Sequence, residues 1–120
     1  MKPSRSYRDL IVWQKSMDLV SKIYNFTQSF PKEEMYGITS QMRRAGISVP
    51  ANIAEGQGRN SKGEFLQFLG IAQGSLAELE TLILICQNLA YIQQNNAEEL
   101  LNDCEEIGRL LAALKRSLRT

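Results

Sequence analysis

The residues with the most chemical potential lie in one run, Gln41-Met42-Arg43-Arg44-Ala45-Gly46-Ile47-Ser48-Val49-Pro50-Ala51-Asn52-Ile53-Ala54-Glu55-Gly56-Gln57-Gly58-Arg59. On a helical wheel Ile38, Met42, Ala45, Val49 and Ile53 form a core-facing stripe. Gln41, Arg44, Ser48, Asn52 and Glu55 fall together on the adjacent stripe. Ile47, Pro50 and Ala54 lie on its far side. A solvated face usually carries long charged side chains over a broad arc; here a polar row sits between two apolar flanks. Partial burial of that row would require Arg44 and Glu55 to find partners. Two kinds of chemistry fit. One is a hydrogen-bonded network that locks helices or subunits together. The other is an anion or nucleic-acid site built on Arg43, Arg44 and Arg59. Glu55 as a catalytic carboxylate fits poorly, because no base, nucleophile or metal cluster accompanies it. The glycines of Glu55 to Arg59 do not make a phosphate loop: no strand precedes them and no Lys-Ser/Thr ending follows.

The rest of the chain offers little to a catalyst. It contains no histidine, so it lacks the commonest general base and metal ligand. Its two cysteines, Cys86 and Cys104, match no metal spacing and cannot build a disulfide framework. Both fall on apolar stripes and read as small buried hydrophobes in a reducing compartment. No catalytic residue, metal site or cofactor is expected. The net charge of +1 hides an asymmetry: residues 1–60 hold nine Lys or Arg against five Asp or Glu, and residues 61–120 hold five against eight. From Glu78 to Glu106 every charged residue is acidic. Such polarity suits head-to-tail docking or a basic face for an anionic partner, and equally the solvation of helix faces.

Four amphipathic helices must position these groups. The spacing predicts the first over residues 9–29, where Leu10, Trp13, Met17, Val20 and Tyr24 form one stripe. Val12, Leu19, Ile23 and Phe26 form a second beside it. Together they cover about 200° of the helix, more than one small bundle buries, which suggests a further neighbour such as another subunit. Phe30-Pro31 stops this helix, and Pro31 to Glu34 can make one turn. The second helix is expected over 36–58, kinked by Pro50 and ended by Gly56 and Gly58. Ser61 and Glu64 read as a capping box for the third, over 62–90. Phe65, Leu69, Ala72, Leu76, Leu79, Ile83, Cys86 and Ala90 give it the strongest periodicity in the chain. Gly70, Gly74, Ser75 and Ala77 would let a neighbouring helix approach. Asn96 with Glu99 is a plausible cap for the fourth, over 97–119, whose seam is Leu100, Cys104, Ile107, Leu111, Leu114 and Leu118. Short connections between four such helices imply a single domain, 1–120, with an all-α, antiparallel up-down-up-down four-helix bundle fold. No apolar run reaches the length of a membrane span, and the N-terminus lacks a signal peptide, so the expected location is cytoplasmic, without a membrane partner.

Several of these features together resemble a known family, the four-helix-bundle proteins encoded in intervening sequences of bacterial 23S ribosomal RNA genes. They are Asp9-Leu10 with Val12-Trp13, Phe30-Pro31, Glu34 with Tyr36-Gly37, the run from Gln41 to Arg59, and Gly74-Ser75 with Glu78-Leu79-Glu80. The resemblance covers essentially the whole chain. It implies an antiparallel bundle that assembles as a ring-like homopentamer and carries no enzymatic activity. The related accessory protein of diversity-generating retroelements resembles a basic barrel that binds nucleic acid and a reverse transcriptase. This chain departs from that relative in being near neutral, with an acidic second half.

The sequence therefore points to a non-enzymatic homo-oligomer that binds RNA or a ribonucleoprotein. The contacts expected for RNA are Lys2, Arg5 and Arg8 on the N-terminal arm with Arg43, Arg44 and Arg59. The alternative is a protein-interaction scaffold that binds no nucleic acid.

Overall fold

The structure, a computed structural model, describes residues 6–119. A single 3-10 turn, Tyr7–Asp9, leads into α1 (Ile11–Thr27). A second, Lys32–Glu34, precedes α2 (Ile38–Gln57), and α3 (Lys62–Asn88) and α4 (Gln94–Arg119) complete the chain. No strand occurs among the described residues.

The helices pack as a ring of neighbours, with α1 and α3 on one diagonal and α2 and α4 on the other. Each adjacent pair runs antiparallel. Gly46 of α2 faces Val20 and Ile23 of α1, while Arg43 reaches Tyr24 and Thr27. Gly56 meets Phe65 and Phe68, and Met42 meets Cys86 at the other end of α3. Lys15 pairs with Glu106 and Lys22 with Asp103. This is the up-down-up-down bundle that four apolar stripes and short links require.

One core joins the four stripes. Val12, Leu19 and Ile23 enter from α1, Met42, Ala45, Val49 and Ile53 from α2, and Leu69, Ala72, Leu76, Leu79, Ile83 and Cys86 from α3. Leu100, Cys104, Ile107 and Leu111 close it from α4, while Leu114 and Leu118 stay half-buried. Burial pushes the Cys86 thiol up to about 11 and the Cys104 thiol up to about 12, so both stay protonated at neutral pH and behave as small apolar groups.

Several boundaries differ from the sequence reading for identifiable reasons. The α-helical part of α1 begins two residues late, because Ser6 caps the Tyr7–Asp9 turn and Leu10 is extended. Asn96 does not cap α4, which already starts at Gln94; its N–H is instead bonded by the Asn95 side chain. α2 does hold Pro50 inside it, as the sequence reading has it. Gly56 does not end α2 but lies buried inside it, and its hydrogen gives α3 room to approach. Among the small residues of α3, Ser75 meets Ser48 of α2 and Gly70 faces Lys115 of α4, whereas Gly74 has nothing within 4 Å of its missing Cβ.

The end of α3 is also unusual. The N–H of Tyr91 bonds the Cys86 carbonyl and that of Ala90 bonds Gln87, the pattern of a Schellman motif. The motif needs a left-handed residue, and Ala90 takes it at φ 63°. An alanine there bears a steric cost of about 1 kcal/mol that glycine escapes. Ala90→Gly is expected to raise the unfolding free energy by up to about 1 kcal/mol, less the added entropy of the unfolded chain. Urea unfolding measures it; an unchanged or lowered midpoint would contradict the strain.

α3 also corrects the reading on apolar length. It is long and apolar enough to cross a membrane by length and composition, with a mean hydropathy of 1.4 in its most apolar stretch. It has no unbroken apolar run, because glycine, serine, glutamine and the carboxylates Glu78 and Glu80 interrupt it, but its average stays apolar. Only a third of that stretch is buried in the chain.

Candidate functional site

The polar row on α2 divides into three parts. In the middle, Ser48 and Ser75 of α3 share a hydrogen bond of 2.8 Å between their hydroxyls. The Asn52 amide donates to the Ser48 carbonyl at 2.7 Å and to its hydroxyl at 2.9 Å. These three half-buried side chains satisfy one another and fix α2 against α3. At the C-terminal end Glu55 is exposed and pairs with Arg59 at 2.8 Å, one turn away. At the N-terminal end Gln41 and Arg44 line an open cleft of ≈ 400 Å³ with Ser75 and Glu78 of α3. Arg44 makes no side-chain hydrogen bond or ion pair among the described residues.

Of the basic residues expected to contact nucleic acid, Arg43 and Arg44 line one open cleft. Lys2 and Arg5 lie outside the described residues. Arg8 sits in the N-terminal turn, with its guanidinium 5.8 Å from the Tyr7 ring centroid. Arg59 is held by Glu55 and lies 4.8 Å over the Phe68 ring. Arg43 and Arg44 share the N-terminal half of α2 but project in directions about 100° apart, as consecutive helical residues must. Arg43 is the most firmly placed. Its guanidinium lies 4.4 Å over the Tyr24 ring, and its Nε donates to the Thr27 hydroxyl at 2.9 Å. That hydroxyl itself donates to the Ile23 carbonyl at 2.7 Å. A stacked arginine held at Nε keeps its terminal nitrogens for another acceptor.

Much of the acidic run is spent inside the bundle. Lys22 reaches Asp103 at 2.8 Å and Glu99 at 2.9 Å, and Lys15 reaches Glu106 at 3.3 Å. The acidic face of α4 thus serves the lysines of α1. Hydrogen bonds to Asp103 and Glu99 raise the Lys22 pKa above the usual lysine range. A raised lysine pKa stabilises the fold fully below the unfolded value of about 10.4, and the gain is lost as pH climbs through the folded value. The Lys22 side chain is 39% exposed, so screening limits the effect to no more than about 1 kcal/mol. Lys22→Met is expected to lose a few tenths to about 1 kcal/mol at neutral pH. The deficit should hold to about pH 10 and shrink beyond it. A deficit that grew above pH 10 would contradict the pairing.

Glu34, which the sequence offered only within a turn and a family motif, and Tyr91, which it gave no role, tie the start of α2 to the segment after α3. Glu34 accepts from the Ile38 N–H at 3.4 Å, at the start of α2, and from the Tyr91 hydroxyl at 3.0 Å. Tyr91 also packs its ring on Phe30. Their separation along the chain, 57 residues, gives no local signal.

Apolar surface is left over on two sides. On α1, Ile11 and Met17 are exposed, and Trp13, Val20 and Tyr24 only half-buried. On α3, Ile71, Leu84, Ile85 and Leu89 are exposed. Ile71, Gly74, Glu78, Ile85 and Leu89 share one face of α3 at helical spacing. Among the described residues no group of three or more His, Cys, Asp or Glu could hold a metal ion.

Fold and surface together define an antiparallel four-helix bundle with an internal polar clasp between α2 and α3 and two unpartnered apolar strips. Residues 8–113 match the family model of the 23S rRNA-intervening sequence protein, and the chain belongs to that family. It is similar to a crystal structure from Bacteroides thetaiotaomicron, described as a protein with unknown function from the S23 ribosomal protein family. The TM-score is 0.80 at 28% identity, over 88% of this chain and 98% of that one. No curated protein matches the chain.

Proposed function

We propose that the chain is a non-enzymatic, homo-oligomeric binding module whose assembled ring engages RNA or a ribonucleoprotein. The observation that carries the assembly is the apolar surface of α3: it is the helix apolar enough to span a membrane, yet only a third of its most apolar stretch is buried. A second strip lies on α1, across the bundle diagonal. Two different unpartnered strips on one chain suit head-to-tail contacts, which close into rings, better than a two-fold dimer. The number five comes from the family resemblance and not from this geometry.

The RNA partner is supported by the family's description and by unspent arginines beside aromatic rings. Phosphate contacts release counterions, so binding to ribosomal RNA fragments is expected at low salt and to weaken steeply as salt rises. Filter binding over a salt series tests it. Absence of binding at low salt would overturn the RNA reading and favour a protein scaffold, and so would binding indifferent to salt.

A further inference from the structure

We propose that the pocket where the end of α1 meets the start of α2 seats one unpaired nucleotide of a single-stranded RNA, with its base on Tyr36 and its phosphate on Arg43 and Arg44. The inference rests on the RNA reading above and names the site and the form of the RNA.

The pocket is open and has a volume of ≈ 300 Å³. Tyr24, Tyr36, Ser40, Arg43 and Arg44 line it, and no Asp or Glu does. Tyr36 is 97% exposed, an unusual placement for a large ring beside a formed pocket. A flat ring in water is a stacking platform, and every base has a face to offer it. Arg43 is already organised by Tyr24 and Thr27, so its terminal nitrogens reach an anion without fresh ordering cost. Arg44, with no side-chain partner among the described residues, adds a second positive charge at the rim. Thr39 also lines the pocket, and its buried hydroxyl has no hydrogen-bond partner among the described residues. Two cations in a pocket that no carboxylate lines, next to a bare aromatic ring, match a nucleotide's phosphate and base; Glu78 shares only the separate cleft on the other side of Arg44. A duplex keeps its bases stacked on one another and hides the faces that Tyr36 would need. The pocket therefore selects single strands.

Fluorescence anisotropy with a labelled oligouridylate, alone or annealed to its complement, tests the proposal. The single strand should bind more tightly than the duplex. Tyr36→Ala should weaken single-strand binding about tenfold, while Tyr36→Phe keeps it, because stacking needs the ring alone. Arg44→Ala should weaken binding and flatten its salt dependence. Sedimentation of each variant reports whether the assembly is intact. Wild-type binding that survives Tyr36→Ala overturns the site and leaves the RNA reading standing. A duplex that binds as tightly as the single strand does the same. A changed mass for Tyr36→Ala overturns it too, by assigning the ring to contact between copies. No binding of wild type to ribosomal RNA fragments at low salt overturns both readings.

Discussion

Gly56→Ala is expected to destabilise the bundle by about 1–3 kcal/mol, against the usual gain from replacing a helical glycine. A Cβ at this position would lie 2.7 Å from the Phe68 Cβ, 3.0 Å from the Phe65 ring and 3.3 Å from the Phe65 carbonyl oxygen. Two of those three contacts are to a Cβ and a backbone oxygen, which cannot swing away as a side-chain tip can. α3 would have to move back from α2, loosening the most extensive helix pair in the molecule. Gly46 is the internal control. It is buried on the same helix, but its Cβ would find only ordinary contacts, 3.9 and 4.0 Å from Ile23 and Val20. Gly46→Ala should be neutral or stabilise by up to about 1 kcal/mol. Thermal unfolding of the two variants should therefore move in different directions. Equal shifts would mean that the close approach at Gly56 does not decide the packing.

Placing charge on the outer face of α3 should have the second large effect. In the Ile71→Glu, Ile85→Glu double variant two exposed side chains change, so the single bundle loses little. If that face is buried between copies, two carboxylates would be desolvated in an apolar contact in each subunit, at a cost of several kcal/mol. The variant is expected to sediment as a folded monomer, with a helical circular-dichroism spectrum close to wild type. A variant that keeps its full assembled mass would remove α3 from the interface. The RNA site makes a separate claim, because Tyr36 can be altered without touching the α3 strip.

The bundle was legible in the sequence because its information is periodic. Val49 and Ile53, Leu76 and Leu79, Leu100 and Ile107 recur at helical spacing, and all six are buried as that spacing requires. Less was legible wherever the meaning of a residue depends on what lies across the bundle. Gly56 looked like a helix stop, and only the position of Phe65 and Phe68 shows it as a contact. Ala90 carries no mark of the left-handed turn it makes. The acidic run from Glu78 to Glu106 fitted docking or plain solvation of helix faces equally, and Lys15 and Lys22 take up Glu99, Asp103 and Glu106 of it. The polar row fared similarly. Its wheel position was readable, but the partner of Ser48 is Ser75, 27 residues away on another helix. Arg44, which would have needed a partner if buried, is exposed and has none among the described residues, and Tyr36 drew notice only as part of a motif. The breadth of the α1 apolar face was readable from composition and spacing alone, since it needs no knowledge of a neighbour.

That breadth, together with the exposed strip on α3, makes self-association the central claim, and sedimentation equilibrium of the purified wild-type chain at micromolar concentration tests it most directly. The account predicts a single species several times heavier than the 13.6 kDa chain, close to five copies. A monomeric mass across that concentration range would contradict it.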